Sequence, residues 1–250
     1  MFKQPASDYD EMVDWDKRLA REAPFFRDLF DGIGVNRLAD VGCGTGKHAI
    51  MFSSWGIDVI GIDPSEEMLA QARINANAAN APVPFVAGGY GGLGALLAEP
   101  VDAIVTLGNG LPHVAGSEGL RAAVEDFATV LRPGGVLVLH FLNHDRLRQQ
   151  HPAWLPPSFK QTSEGPRIYA KVLEYADEGI WFDFVTVTRG QSGEWTATNR
   201  RSLHTWILLD ELLADLAAAG FVDEELFGGH DRSAFDVASD ESVIVVAQMG

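Results

Sequence analysis

Leu38-Ala39-Asp40-Val41-Gly42-Cys43-Gly44-Thr45-Gly46 is the stretch on which the fold turns. An apolar strand runs into a loop with glycine at every second position. A helix-like segment follows, and a second apolar strand over 57–62 ends in Asp63. This pattern predicts a βαβ unit that binds a nucleoside outside its strand ends. Glycines let the backbone approach a ligand without Cβ atoms in the way, and Asp63 can accept hydrogen bonds from both ribose hydroxyls. The spacing narrows the ligand further. A dinucleotide fingerprint is G-x-G-x-x-G, with the pyrophosphate on the helix N-terminus. Here the loop is G-x-G-x-G, Lys47 stands at the third fingerprint position, and Asp40 precedes the loop. A carboxylate in that place repels a pyrophosphate and welcomes a cation.

Outward from this unit, residues 8–31 are helical in pattern, with apolar Met12, Trp15, Leu19, Phe26 and Phe30, and Pro24 is expected to break the segment in two. Strands are expected at 36–41, 57–62, 83–87, 101–107, 136–142, 221–227 and 243–248. Helices are expected at 46–55, 64–80, 117–131 and 210–219, with Pro64 in a first-turn position, Arg132-Pro133-Gly134-Gly135 as a stop signal and Asp210 as a cap. The glycine-rich stretch 88–94 is expected to be a mobile ligand loop. Strands alternating with helices imply a mostly parallel sheet, and the last two strands, with no helix between them, can pair antiparallel. The fold class is therefore α/β: a Rossmann-like seven-stranded sheet with helices on both faces, an N-terminal helical lid and a small antiparallel sheet inserted after strand five. The chain is expected to be one domain over 1–250, with the lid at 1–35, the core at 36–150 and 207–250, and the insertion at 151–206.

Within the insertion, the proline-rich 151–157 is expected to be irregular, and three β-like runs follow at 167–175, 179–189 and 194–206. Alternation sends Trp181, Asp183, Val185 and Val187 to one face and Ile180, Phe182, Phe184 and Thr186 to the other. Both faces are apolar, so the sheet is expected to be sandwiched or part of a subunit interface, which leaves a homo-oligomer open.

The chain has 250 residues, 46% of them hydrophobic, and a net charge of −16. No basic run appears, which disfavours nucleic acid and an anionic membrane surface and leaves a neutral or cationic small substrate. Cys43 is the only cysteine, so no intramolecular disulfide forms, and it is read as a small packed residue of the loop. The N-terminal residues lack a signal-peptide core and no apolar run spans a bilayer, so the expected location is cytoplasmic.

Asp-x-Gly-x-Gly-x-Gly followed by Asp63 resembles the class I S-adenosylmethionine-dependent methyltransferases. Residues 101–113, Leu131-Arg132-Pro133-Gly134-Gly135 and Asn143-His144-Asp145 are similar to small-molecule N-methyltransferases of the glycine and sarcosine type and to related bacterial methyltransferases. The resemblance implies S-adenosylmethionine as donor, S-adenosylhomocysteine as product, no metal, and a small-molecule acceptor. It implies that Arg18, in Trp15-Asp16-Lys17-Arg18, pairs with the methionyl carboxylate. It places Asp40, Gly42, Cys43, Gly44, Gly46, Asp63, Pro64, Met68, Gly89, Tyr90, Leu107 and Gly108 along the donor. Asn109, His113 and His144 are the catalytic candidates, with Tyr9, Trp15 and His204 as substrate contacts. Two departures stand out. Gly88-Gly89 occupy the place of an acid that often binds adenine, and Leu142 replaces the arginine that binds the carboxylate of glycine, pointing to a less anionic acceptor. The implied reaction is methyl transfer by in-line displacement, to an amine nitrogen by preference. O-methylation of a small metabolite and a non-catalytic S-adenosylmethionine-binding module are the alternatives.

Overall fold

The computed structural model describes residues 6–162, 165–190 and 192–250. Residues 1–5, part of the N-terminal stretch on which the expectation about a signal peptide rests, lie outside the described residues. The chain opens with α1 (Ala6–Met12) and α2 (Trp15–Ile33). The core follows as β1 (Arg37–Val41), α3 (Lys47–Ser53), β2 (Asp58–Asp63), α4 (Glu66–Ala79), β3 (Phe85–Ala87), α5 (Leu93–Leu96), β4 (Val101–Thr106), α6 (Gly116–Val130) and β5 (Leu131–Leu142). After α7 (His144–Gln150) come β6 (Trp154–Thr162), β7 (Gly165–Ala176), β8 (Gly179–Arg189) and β9 (Trp195–Thr205), then α8 (Leu209–Ala218), β10 (Phe221–Phe227) and β11 (Ser242–Met249).

The main sheet has seven strands in the order β10-β11-β5-β4-β1-β2-β3. All neighbours pair parallel except β11, which is antiparallel to both β5 and β10. Apolar side chains leave both faces of each inner strand. On β5, Leu137, Leu139 and Phe141 enter one layer with α5, α6 and α8, while Val136 and Val138 enter the other with α2, α3 and α4. Burial on both faces explains why these strands are near-continuous apolar runs. A second, four-stranded antiparallel sheet, β6-β7-β8-β9, follows β5 and packs its Leu173, Ile180 and Phe182 against Leu147 and Leu142.

The structure corrects several local expectations. Pro24 lies inside a continuous α2, and the break falls at Asp14, whose carboxylate caps the Lys17 amide. An internal proline costs about 3 kcal/mol or more, and the burial of Phe25, Phe26 and Phe30 around it outweighs that. Pro64 precedes the helix, and Ser65 is the cap, its hydroxyl accepting the Met68 amide. Asp210 is a first-turn residue, not a cap. Leu131-Arg132-Pro133-Gly134-Gly135 belongs to β5 as an irregularity: Leu131 pairs with Val101 and pairing resumes at Val136 with Ala103. Residues 154–157 are ordered in β6, an edge strand, where Pro156 and Pro157 coincide with a register shift; an edge or bulge tolerates a missing donor. In the 88–94 loop the amides of Gly91, Gly92 and Leu93 all donate to the Asp126 carboxylate.

Candidate functional site

Strand order reverses between β1 and β4, which opens a crevice at their carboxyl ends. The loops after β1, β2, β3 and β4 all reach it, bringing Gly42–Gly46, Asp63, the 88–90 segment and the 107–110 turn together. Two glycines have separate reasons for being glycine. Gly46 begins α3 in a left-handed conformation, and a Cβ there would lie 2.6 Å from the Phe85 ring. Gly44 is also left-handed, at φ +55°, yet a Cβ would meet nothing within 4 Å, so the loop is open on that side.

Asp63, 8% exposed, receives the Gly44 amide on Oδ2 at 2.9 Å and the Ser65 amide on Oδ1 at 2.8 Å. Burial raises its pKa, and the two amides pull it back only partly. A carboxylate offers about four lone-pair sites, so acceptor capacity remains toward the crevice. Asp40, one strand over, is buried, and its Oδ2 has no hydrogen-bond partner. Burial first, then the charge of Asp63, pushes its pKa up to about 7. Two crowded acids beneath an open glycine loop suit a cationic ligand with a ribose. Cys43 packs in the loop, its thiol held well above its usual range by burial and by Asp40 and Asp63, which is the behaviour of an inert residue. Pro64 is exposed and Met68 buried beside Asp63. Tyr90 sets its hydroxyl 2.8 Å from Thr106 Oγ1 and its ring edge-on to Phe127, and Gly89 beside it is open.

The lid crosses this crevice. Arg18 extends over the Trp15 ring and reaches Gly108, where a Cβ would stand 3.7 Å from both the guanidinium and the Tyr9 hydroxyl. Arg18 Nε donates to Glu22 Oε1 at 2.9 Å, and His48 Nε2 lies 2.8 Å from Glu22 Oε2. Burial alone would raise the Glu22 pKa, but the His48 hydrogen bond and the Arg18 charge overcome it and keep the group ionised. His48 is held neutral by burial and donates. A residue the sequence did not single out latches the lid: Asp10 accepts from Thr45 Oγ1 at 2.5 Å, Trp15 Nε1 at 3.1 Å and Asn75 Nδ2 at 2.9 Å. The cue was present only as a polar residue on an amphipathic helix, with no sign of its distant partners.

On the other side of the turn, Asn109 adopts a left-handed φ of 70°. Its Oδ1 accepts the Leu142 amide at 3.0 Å and its Nδ2 lies 3.2 Å from His204 Nδ1. Since Oδ1 is the acceptor, Nδ2 donates, and His204 carries its proton on Nε2, facing Ser202 Oγ at 3.3 Å. His204 stacks on Phe182 and meets His113 edge-on at 4.4 Å. Burial, together with the neighbouring His113, pushes the His204 pKa down to about 2, and crowding on its protein side lowers that of His113, whose other side is exposed. Leu107 is buried at the base of this turn.

His144 lies behind this group, near enough for its charge to weigh on His204. It is fully buried, its Nδ1 accepts the Ile207 amide at 3.0 Å, and burial lowers its pKa to about 4. Its neighbours share that task. Asn143 receives the Arg146 amide and donates to Val237 and Asp240 carbonyls, and Asp145 receives the Leu209 amide. The Asn143-His144-Asp145 triplet thus ties α7 to the segments after β9 and β10. Among the described residues no group of three His, Cys, Asp or Glu is arranged to hold a metal ion, and no helix is long and apolar enough to cross a membrane.

Comparison with known proteins agrees with this architecture. Residues 38–135 match the methyltransferase domain family. A glycine/sarcosine N-methyltransferase from Halorhodospira halochloris is 31% identical over 69% of this chain, which spans 63% of that protein's length. An S-adenosylmethionine-dependent methyltransferase from Clostridium acetobutylicum superposes with a TM-score of 0.79 at 15% identity, over 98% of this chain and 97% of that one. An amino pentose methyltransferase from Micromonospora echinaspora gives 0.71 at 22% identity, over 100% and 98%. The two structural likenesses speak for the fold alone. The matched domain and the curated relatives identify residues 38–135 as a class I S-adenosylmethionine-dependent methyltransferase domain, with glycine/sarcosine N-methyltransferases among the chain's distant relatives.

Proposed function

We propose that the protein transfers a methyl group from S-adenosylmethionine to a small-molecule acceptor, preferentially an amine nitrogen. The observation that carries this is the pair Asp40 and Asp63 beneath an open glycine loop, with one buried carboxylate oxygen lacking a partner. Those groups fit a sulfonium nucleoside and an ammonium, and they would repel a diphosphate. Asp63 would hold the ribose hydroxyls, Asp40 the cationic end, the 42–46 loop and Met68 the adenosyl and methionyl walls, and Arg18 the methionyl carboxylate. S-adenosylmethionine, when bound, supplies an activated methyl group. The protein's part is then mainly positioning, since well-oriented reactants reach effective molarities of about 10⁵ M or more. Asn109, locked between Leu142 and His204, fixes the turn beside the donor, and His113 and His204 remain neutral. Neutral imidazoles and a desolvated pocket favour an amine in its uncharged, nucleophilic form. The methylated nitrogen would carry a surplus proton, which would pass to solvent, since burial makes His113 a weak base.

N-methylation gains support from the relatives, which carry that activity in their names. The test is transfer of an isotope-labelled methyl group to matched panels of amines, phenols and carboxylic acids. Amines are expected to be labelled. Labelling of phenols alone would replace the N-acceptor assignment, and failure to bind S-adenosylhomocysteine would sink the donor assignment itself.

A further inference from the structure

Two cations on the inner face of the inserted sheet, Lys171 and Arg200, have no ion pair among the described residues, whereas Arg167 on the same face is paired with Glu11. Lys171 on β7 pairs with Phe184 on β8, and Phe184 pairs with Arg200 on β9, so the three stand in one row on one side of the sheet. That side faces inward: Phe184, Phe182 and Tyr169 on it are 9%, 4% and 3% exposed. Arg200 Nη1 and the Tyr169 hydroxyl are both buried without a hydrogen-bond partner, and Lys171 has no ion pair among the described residues. The acids Glu174 and Asp183 are on the opposite face, where both bind Arg201. A half-buried cation without a partner is costly in a folded protein and is readily offset by an anion that supplies charge-assisted hydrogen bonds. The row also belongs to the crevice. Burial and the charge of Arg18 lower the Lys171 pKa, and Lys171 in turn acts on His204. His204 lies four residues from Arg200 on the same face of β9, roughly 13 Å along the strand.

We propose that Lys171 and Arg200 form an anion subsite of the acceptor pocket, taking a carboxylate at the far end of an elongated amine whose nitrogen reaches Asn109 and His204. This inference rests on the methyltransferase assignment above. It revises the expectation drawn from Leu142: the acceptor's anionic group is displaced from the strand-five end to the inserted sheet rather than lost. Phe184 and Phe182 line the space between for an apolar linker. Glycine is too short to bridge the two ends.

The donor's own methionyl carboxylate offers the same chemistry, so the experiment separates the two. The full chain is loaded with S-adenosylhomocysteine and titrated by calorimetry with 6-aminohexanoate, with its uncharged amide, and with glycine. The acid is expected to bind about tenfold or more tightly than the amide or glycine. Lys171→Gln and Arg200→Gln are expected to abolish that preference, and Lys171→Arg to keep it, with S-adenosylhomocysteine affinity unchanged throughout. Equal binding of acid and amide, undetectable binding included, overturns the subsite, as does a preference that survives both glutamine variants. Loss of S-adenosylhomocysteine affinity in the variants assigns the pair to the donor and overturns it too. Failure of the unmodified chain to bind S-adenosylhomocysteine overturns the methyltransferase assignment instead. Thermal unfolding of each variant identifies any that misfold, and Arg200→Gln with Lys171→Arg then decides.

Discussion

The two ends of the crevice to which we assign the donor and the acceptor are built in different ways. At the donor end, backbone does most of the work. Amides of Gly44 and Ser65 orient Asp63, and the loop that carries them is local in sequence. At the acceptor end, side chains from distant segments interlock: Asn109 with Leu142, Asn109 with His204, and His204 with His113 and Phe182. A backbone-built site tolerates little variation because its geometry is a property of the turn, whereas a side-chain-built site can be re-specified by changing one strand of an insertion. That division lets one end stay constant while the other is changed.

The largest expected effect falls on the lid that serves the donor end. Glu22→Ala breaks the ion pair with Arg18 and leaves neutral His48 without its acceptor, and breaking a buried ion pair costs about 3–5 kcal/mol. Denaturant unfolding is expected to show a loss of that size, and a change below about 1 kcal/mol would show that Arg18 is held by other contacts. Next, Asp63→Ala is expected to weaken S-adenosylhomocysteine binding by about 1.5–3 kcal/mol, the worth of a hydrogen bond to a charged group, with acceptor discrimination intact. Asn109→Ala inverts the pattern. It strips the Leu142 amide and His204 of a partner, at a cost of about 1–3 kcal/mol, and is expected to lower kcat/KM for the acceptor while leaving donor affinity alone. Equal damage to both ligands would dissolve the distinction between the two ends.

The smallest effect is a proton. Asp40 sits at about 7, above its unfolded range, so near pH 6 the ligand-free protein holds a proton there. A cation in the crevice favours the carboxylate and drives that proton off. Donor affinity is therefore expected to rise with pH up to about 7 and then level. Calorimetry in buffers of different ionisation enthalpy is expected to report proton release near pH 6, and Asp40→Asn to abolish it.

The legibility of each part follows from the same contrast. Gly42–Gly46, Asp63 and the seven core strands were readable because each depends on residues close in sequence: an apolar run, a turn, an acid at a strand end. Leu131-Arg132-Pro133-Gly134-Gly135 misled because pairing with Val101 across the sheet overrides its local stop signal. Pro156 and Pro157 misled because an edge position, which depends on the other strands, excuses them. His144 drew a chemical role from its neighbours in sequence, and only the fold shows that its Nδ1 accepts the Ile207 amide while its Nε2 has no hydrogen-bond partner. Asp10 and the Lys171–Arg200 row had no local signature, since their meaning lies in partners far along the chain.

Asp10 also carries a kinetic meaning. By holding Thr45, Asn75 and Trp15 at once, it spans from the glycine loop to α4 while its neighbour Tyr9 stands over Gly108. A ligand enclosed beneath α1 leaves only when those bonds part together, each worth about 0.5–1.5 kcal/mol or somewhat more where charge assists. If S-adenosylhomocysteine is held there as we propose, one carboxylate that touches none of the reacting atoms would govern how long it stays.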